Sequence, residues 1–167
     1  NSYLNSTKTL YSRALKGNFF KDLLLNGNVI NNSSIVVRKD ILIKIGGISE
    51  DRTLIGCEDY NTLLKIIFLT SKIVYIPQVL GYYDMHLEGI SRKDMSLAHG
   101  AAVNEFLYLC SNVEKLQIDA LTKYMRCVYL INAKKKSNIN NEILFCLKNG
   151  KFNIKFKSLF LLFKSRV

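Results

Sequence analysis

The chain has 167 residues, 49% of them hydrophobic and 22% charged, and carries a formal net charge of +11. That size and apolar content suffice for one domain with a sizeable core, or for a compact half-domain followed by an appendage. No apolar run reaches the ~18 uninterrupted residues that a membrane-spanning helix needs, and Asn1 opens no charged-then-apolar leader, so the chain reads as neither spanning nor secreted.

The first residue is Asn1 and not Met, which fits a piece of a longer protein whose missing part lies upstream. Cys57, Cys110, Cys127 and Cys146 are widely spaced within apolar segments and form no C-x-x-C pair. Buried reduced thiols in a cytosolic protein are the reading preferred over a disulfide or zinc framework. The charge is uneven: residues 1–94 hold 12 Lys+Arg against 9 Asp+Glu, whereas residues 95–167 hold 12 against 4. The basic excess thus belongs to the last segment and suggests an anionic partner for it, a membrane surface or a nucleic acid.

In chain order, Leu10, Ala14 and Leu15, then Phe19, Phe20, Leu23 and Leu24, predict two short helices broken near Gly17-Asn18, with Gly27 ending the second. The β-branched run Ser33 to Val37 predicts a buried strand, and Asn31, Asn32, Ser33 and Ser34 at its entrance can either face a ligand or close a turn. Lys39 to Ile45 predicts a short helix stopped by Gly46-Gly47. The adjacent acids Glu58-Asp59 open a further helix with Leu63, Leu64, Ile67 and Phe68 as its buried stripe. Lys72 to Pro77 and Val79 to Met85 predict two strands, followed by a loop with His86, Ser91 and Arg92.

Beyond Lys93 the pattern turns helical, with predicted helices over Leu97–Leu109, Ile118–Ala133, Asn141–Leu147 and Ile154–Val167. The last puts Phe156, Leu159, Phe160, Phe163 and Val167 on one stripe flanked by Lys155, Lys157, Lys164 and Arg166. Such a basic amphipathic helix over residues 154–167 can lie on an anionic membrane or pack as an ordinary core helix.

The succession Gly27 to Arg38, Ile45 to Asp51, Glu58-Asp59-Tyr60-Asn61-Thr62-Leu63-Leu64-Lys65, Tyr75-Ile76-Pro77, Tyr83-Asp84-Met85-His86 and Ile90-Ser91-Arg92 resembles the second half of family 2 glycosyltransferases of the GT-A fold. The resemblance covers about residues 20–94. It implies an α/β fold, the acceptor-side portion of that architecture with a small mixed sheet over residues 1–94, followed by a mostly helical basic tail over residues 95–167. It also implies an inverting transfer of a sugar from a nucleotide-sugar donor to the hydroxyl of a saccharide or lipid-linked acceptor, in surface polysaccharide (O-antigen or capsule type) assembly at the cytoplasmic face of a membrane.

On that resemblance Asp59 is the general base and Glu58 orients the base or the acceptor. Asn31, Ser33, Ser34, Ser91 and Arg92 contact substrate, and His86 helps ligate a divalent metal, Mn or Mg, on the donor diphosphate. The plain alternative for the two acids is that they merely favour a helix N-terminus. Nothing in the sequence supplies the nucleotide-binding first half or its Asp-any-Asp motif, so the chain alone is expected to be inactive. The competing hypothesis is a non-enzymatic interaction module whose basic tail binds a membrane, a partner protein or nucleic acid. Nucleic acid is disfavoured, because the basic residues join no recognisable binding motif or aromatic platform.

Overall fold

The computed structural model describes residues 12–79, 81, 93–135 and 139–166. Among them the chain forms α1 (Phe19–Asn26), α2 (Lys39–Lys44), α3 (Glu58–Leu69), α4 (Ser96–Asn104), α5 (Asn112–Asn132), α6 (Ile139–Asn149) and α7 (Phe152–Arg166), with short 3-10 turns at Asn32–Ser34, Arg52–Leu54 and Leu107–Leu109.

Local chemistry sets the ends of these helices. Asn18 caps α1 by accepting the Lys21 N–H at 2.9 Å, and Gly27, at φ +82°, turns the chain out and returns its N–H to Leu23 O. A capping box opens α5: Ser111 Oγ accepts the Glu114 N–H while the Glu114 carboxylate accepts the Ser111 N–H. At the α6–α7 turn Gly150 is required by space. A Cβ there would sit 2.6 Å from Cys146 O and 2.9 Å from Ile154 Cγ2, so α7 turns back onto α6 only where no side chain intervenes.

Three apolar clusters share α5, the smallest joining Leu121 to Cys146 of α6 and Ile154 of α7. The first gathers Leu23 and Leu24 of α1, Tyr60, Leu64 and Ile67 of α3, Ala102 and Val103 of α4, and Ile118 from the first half of α5. Each fully buried leucine removes its side chain from water for about 1.5–3 kcal/mol. Polar bonds fix how these helices meet: Tyr60 Oη donates to Leu23 O at 2.8 Å, and Asn61 Nδ2 donates to Ala102 O at 3.0 Å and to Glu105 Oε1 at 2.7 Å. The second cluster joins Cys127 on the later half of α5 to Ile139 and Ile143 of α6 and Leu161 of α7. All four cysteines are buried and reduced.

The expected mixed sheet is not formed. The described residues contain no strand, and the acceptor-side GT-A architecture inferred over residues 1–94 is replaced by an all-α arrangement. A β-branched run becomes a strand only where another backbone lies alongside to complete the ladder. Here the bonds close locally instead: Ser34 N–H reaches Asn31 O at 2.9 Å and Ile35 N–H reaches Asn32 O, so the start of the expected strand winds into a 3-10 turn. Lys72 to Pro77 likewise runs over the surface with no strand partner among the described residues, and Val74 is 87% exposed. The expected strand Val79 to Met85 falls almost wholly outside the described residues, as does the expected helix around Leu10 in its first part. Of the helices expected from sequence, the one around Leu10, Ala14 and Leu15 does not form in its described part, since residues 12–16 run without helix up to the Asn18 cap of α1; the others form, with two differences. The Leu97–Leu109 pattern breaks after Asn104 and resumes as a 3-10 turn, and α5 begins at Asn112, where its capping box lies.

Candidate functional site

The acidic pair sits where a tight turn becomes α3. Gly56 holds φ +88°, a left-handed conformation that favours glycine, and Cys57 N–H closes the preceding turn onto Leu54 O at 2.7 Å. Glu58 turns back, its carboxylate accepting the Gly56 N–H, and so ties the loop to the first turn of the helix. Asp59 Oδ1 accepts the Tyr60 N–H at 2.6 Å. Both acids therefore satisfy backbone donors at the helix start, the plain role anticipated for them.

Asp59 does more than cap. It lines a pocket of about 190 Å³ together with Asn32 and Thr62, and the remaining walls are apolar, from Ile35 and Val37 after the 3-10 turn, Leu42 of α2, Ile48, and Leu63 and Ile66 of α3. Asp59, Thr62, Leu63 and Ile66 fall at helical spacing, which puts them on one flank of α3. The neighbouring flank, with Tyr60, Leu64 and Ile67, enters the core. Phe68, expected in the buried stripe, is half exposed, although its ring still meets Phe20 at 5.2 Å.

Partial burial raises the Asp59 carboxyl above its ordinary value, the Tyr60 N–H pulls it back in part, and the neighbouring Glu58 raises it further. The result is a carboxylate more basic than one in open water. A proton acceptor needs that property, whereas a purely capping acid does not.

The residues named from sequence are distributed as follows. Glu58 and Asp59 are adjacent at the pocket. Asn31, Ser33 and Ser34 lie exposed in the turn that presents Asn32; Asn31 Oδ1 accepts the Ser33 N–H, and Ser34 Oγ donates to Asn31 O at 2.7 Å. His86, Ser91 and Arg92 lie outside the described residues. Among the described residues no group of three or more His, Cys, Asp or Glu side chains could hold a metal. Asn32 is one of the four polar residues that the sequence allowed to face a ligand or close a turn, whereas Thr62 was not singled out from sequence as a site residue. Thr62 was within reach of such reasoning, because it stands three positions after Asp59 on a helix.

His99 is a second unusual group and is remote in kind from the pocket. It is buried in α4, stacks on Tyr60 with ring centroids 5.4 Å apart, and its Nδ1 lies 2.9 Å from Thr122 Oγ1. Burial depresses its pKa to about 4, which keeps the ring neutral. Its Nε2 is buried without a hydrogen-bond partner among the described residues.

No family model, curated protein or solved structure matches the chain. With no strand among the described residues and no family match, the resemblance to family 2 glycosyltransferases is withdrawn, and the pocket beside Asp59 stands on its own geometry.

Proposed function

We propose that the pocket at the start of α3 receives a hydroxyl-bearing acceptor, and that Asp59 takes the proton from that hydroxyl while a glycosyl group is transferred to it from a nucleotide-sugar donor. One observation carries the part given to Asp59: a partly buried carboxylate, made more basic by its apolar surroundings, lines a pocket that also offers the Asn32 amide and the Thr62 hydroxyl; the glycosyl donor is the expectation stated from the sequence. As the acceptor oxygen attacks the anomeric carbon, its proton passes to Asp59. The bond from that carbon to the diphosphate breaks, and the nucleoside diphosphate leaves with the bonding electrons. A single displacement of this kind inverts the anomeric configuration.

The other residues have supporting roles in this reading. Glu58 holds the Gly56 loop and thereby the direction of Asp59. Thr62 Oγ1 spends its proton on Glu58 O at 2.7 Å, leaving oxygen lone pairs to accept from a sugar hydroxyl. Asn32 can donate and accept, and Asn31, Ser33 and Ser34 belong to the same exposed turn at the rim. At about 190 Å³ the pocket is smaller than the ~300–1,000 Å³ usual for whole ligands. It suits one end of an acceptor, with the donor held outside the pocket. A divalent ion enters this reading through His86 and the donor diphosphate; the described residues alone do not assemble its ligands, and no step above runs through it.

Saturation-transfer NMR of the chain with a panel of methyl glycosides tests the binding half of this reading. Wild-type protein is expected to saturate at least one glycoside, with the effect reduced several-fold by Asn32→Leu and by Asp59→Asn. If no glycoside is saturated, or if neither substitution changes the effect, the pocket is not an acceptor site.

A further inference from the structure

Helix α7 has two apolar faces, and only one is covered among the described residues. Ile154, Ser158 and Leu161, at i, i+4 and i+7, are buried against α5 and α6. On the opposite side Phe152, Phe156, Leu159, Phe160 and Phe163 are exposed, Phe152 to 84% and Phe163 to 63%. The stripe that the sequence left open as either a membrane face or a core face is thus the outward one. At 3.6 residues per turn, Lys155 falls along one edge of this outward face, and Lys157 and Lys164 along the other. All three lysines are exposed and make no ion pair among the described residues. From Ile143 to Val167 the chain holds six Lys+Arg and no Asp or Glu.

We propose that α7 docks the protein on an anionic lipid surface, lying in the membrane plane with its phenylalanine face between the acyl chains and its lysine edges among the headgroups. An apolar strip wide enough for several side chains has to be covered by an apolar phase to lower its free energy. The lysines on both rims select a negatively charged boundary for that phase. The geometry is interfacial and not spanning: fifteen residues rise only about 22 Å, and no described helix is long and apolar enough to cross a bilayer.

Two other occupants fit less well. A second copy would bring two acid-free, lysine-edged faces together, setting like charges against each other at the rim. A nucleic acid would satisfy the lysines, but it needs open ring faces for base stacking. Phe156 and Phe160 already pack edge to face on each other, with centroids 5.1 Å apart, and Leu159 between them offers no stacking surface. The proposal is independent of the Asp59 pocket, which lies on α3.

The chain contains no tryptophan, so Phe160→Trp makes a single fluorescent reporter on the exposed face. Its emission is expected to shift to the blue, and the protein to co-sediment, with vesicles of phosphatidylcholine containing about one-third phosphatidylglycerol at low salt. Neither is expected with phosphatidylcholine alone, and retention is expected to fall as salt screens the lysines. The triple change Lys155→Gln, Lys157→Gln, Lys164→Gln should weaken vesicle binding on the order of a hundredfold. Phe156→Ser with Phe163→Ser should abolish it, while leaving the helical circular-dichroism signal unchanged. Equal retention on neutral and anionic vesicles overturns the proposal, as does a blue shift that arises without vesicles on dimerisation. A blue shift with a single-stranded oligonucleotide and none with vesicles overturns it in favour of a nucleic-acid surface.

Discussion

Helices α3 and α7 carry the same kind of apolar pattern and meet opposite fates. In α3 the stripe Tyr60, Leu64 and Ile67 is sealed by α1 and α4, and its one outward lysine, Lys65, reaches Glu105. In α7 the richest stripe, five phenylalanine and leucine side chains, faces away from the body while a thinner one, Ile154 and Leu161 with Ser158 between them, packs inward. Hydrophobicity alone does not choose the buried side of a helix. The choice goes to the face that fits its neighbours, and in α7 the small Ser158 and the side-chain-free Gly150 allow α5 and α6 to approach closely there. The leftover face then becomes available for a partner.

The sharpest way to break this comparison is to truncate one side chain on each face. Leu64→Ala should cost roughly 2–5 kcal/mol in urea unfolding, because it empties a fully buried position, whereas Phe160→Ser should fall within about 0.5 kcal/mol of wild type. If the two substitutions destabilise equally, the α7 face is covered and the contrast fails.

The α3–α4 contact offers a second test, through acid. His99 is neutral in the fold with a pKa near 4, against 6.5 for the free side chain. A depressed folded value gives stability that is fully present above pH 6.5 and lost as the pH falls through about 4. The loss should be on the order of 3 kcal/mol, read as a falling melting temperature over that window. His99→Gln, which stays neutral and can still reach Thr122, should flatten the slope even if it lowers stability at neutral pH. An unchanged slope would place the acid sensitivity elsewhere.

Much of the helical scaffold could be read from residues that punctuate it. Asn18 and Gly27 bound α1, Gly46-Gly47 ends α2, and the Ser111-x-x-Glu114 capping box marks the start of α5 more sharply than its hydrophobic pattern does. The strands could not be read correctly, because Val29 to Val37 and Lys72 to Pro77 have strand-like composition but no neighbouring backbone to pair with among the described residues, and pairing is a non-local condition. The outward face of α7 was hidden for a related reason: with apolar residues on both sides, periodicity identifies the stripes without saying which one is covered. At the site, the carboxylates were visible as a pair. What separates them is not in their identity but in where they turn, Glu58 toward the loop and Asp59 along the pocket wall.

The most direct measurement on the central claim compares wild type with Asp59→Asn for transfer of sugar from a nucleotide-sugar donor at pH 7. The same pair of proteins should be melted as a control. A raised folded pKa makes ionised Asp59 a cost to the fold, present above its folded value and relieved as the pH falls through it toward the ordinary 3.8. Asp59→Asn should therefore leave the melting temperature at pH 7 unchanged or slightly raised, with the gain vanishing in acid. Transfer should fall by about 10²–10⁴, the usual contribution of a general base, while glycoside binding survives in weakened form. Turnover within about twofold of wild type, in a protein that melts normally, would contradict the assignment of Asp59 as the base.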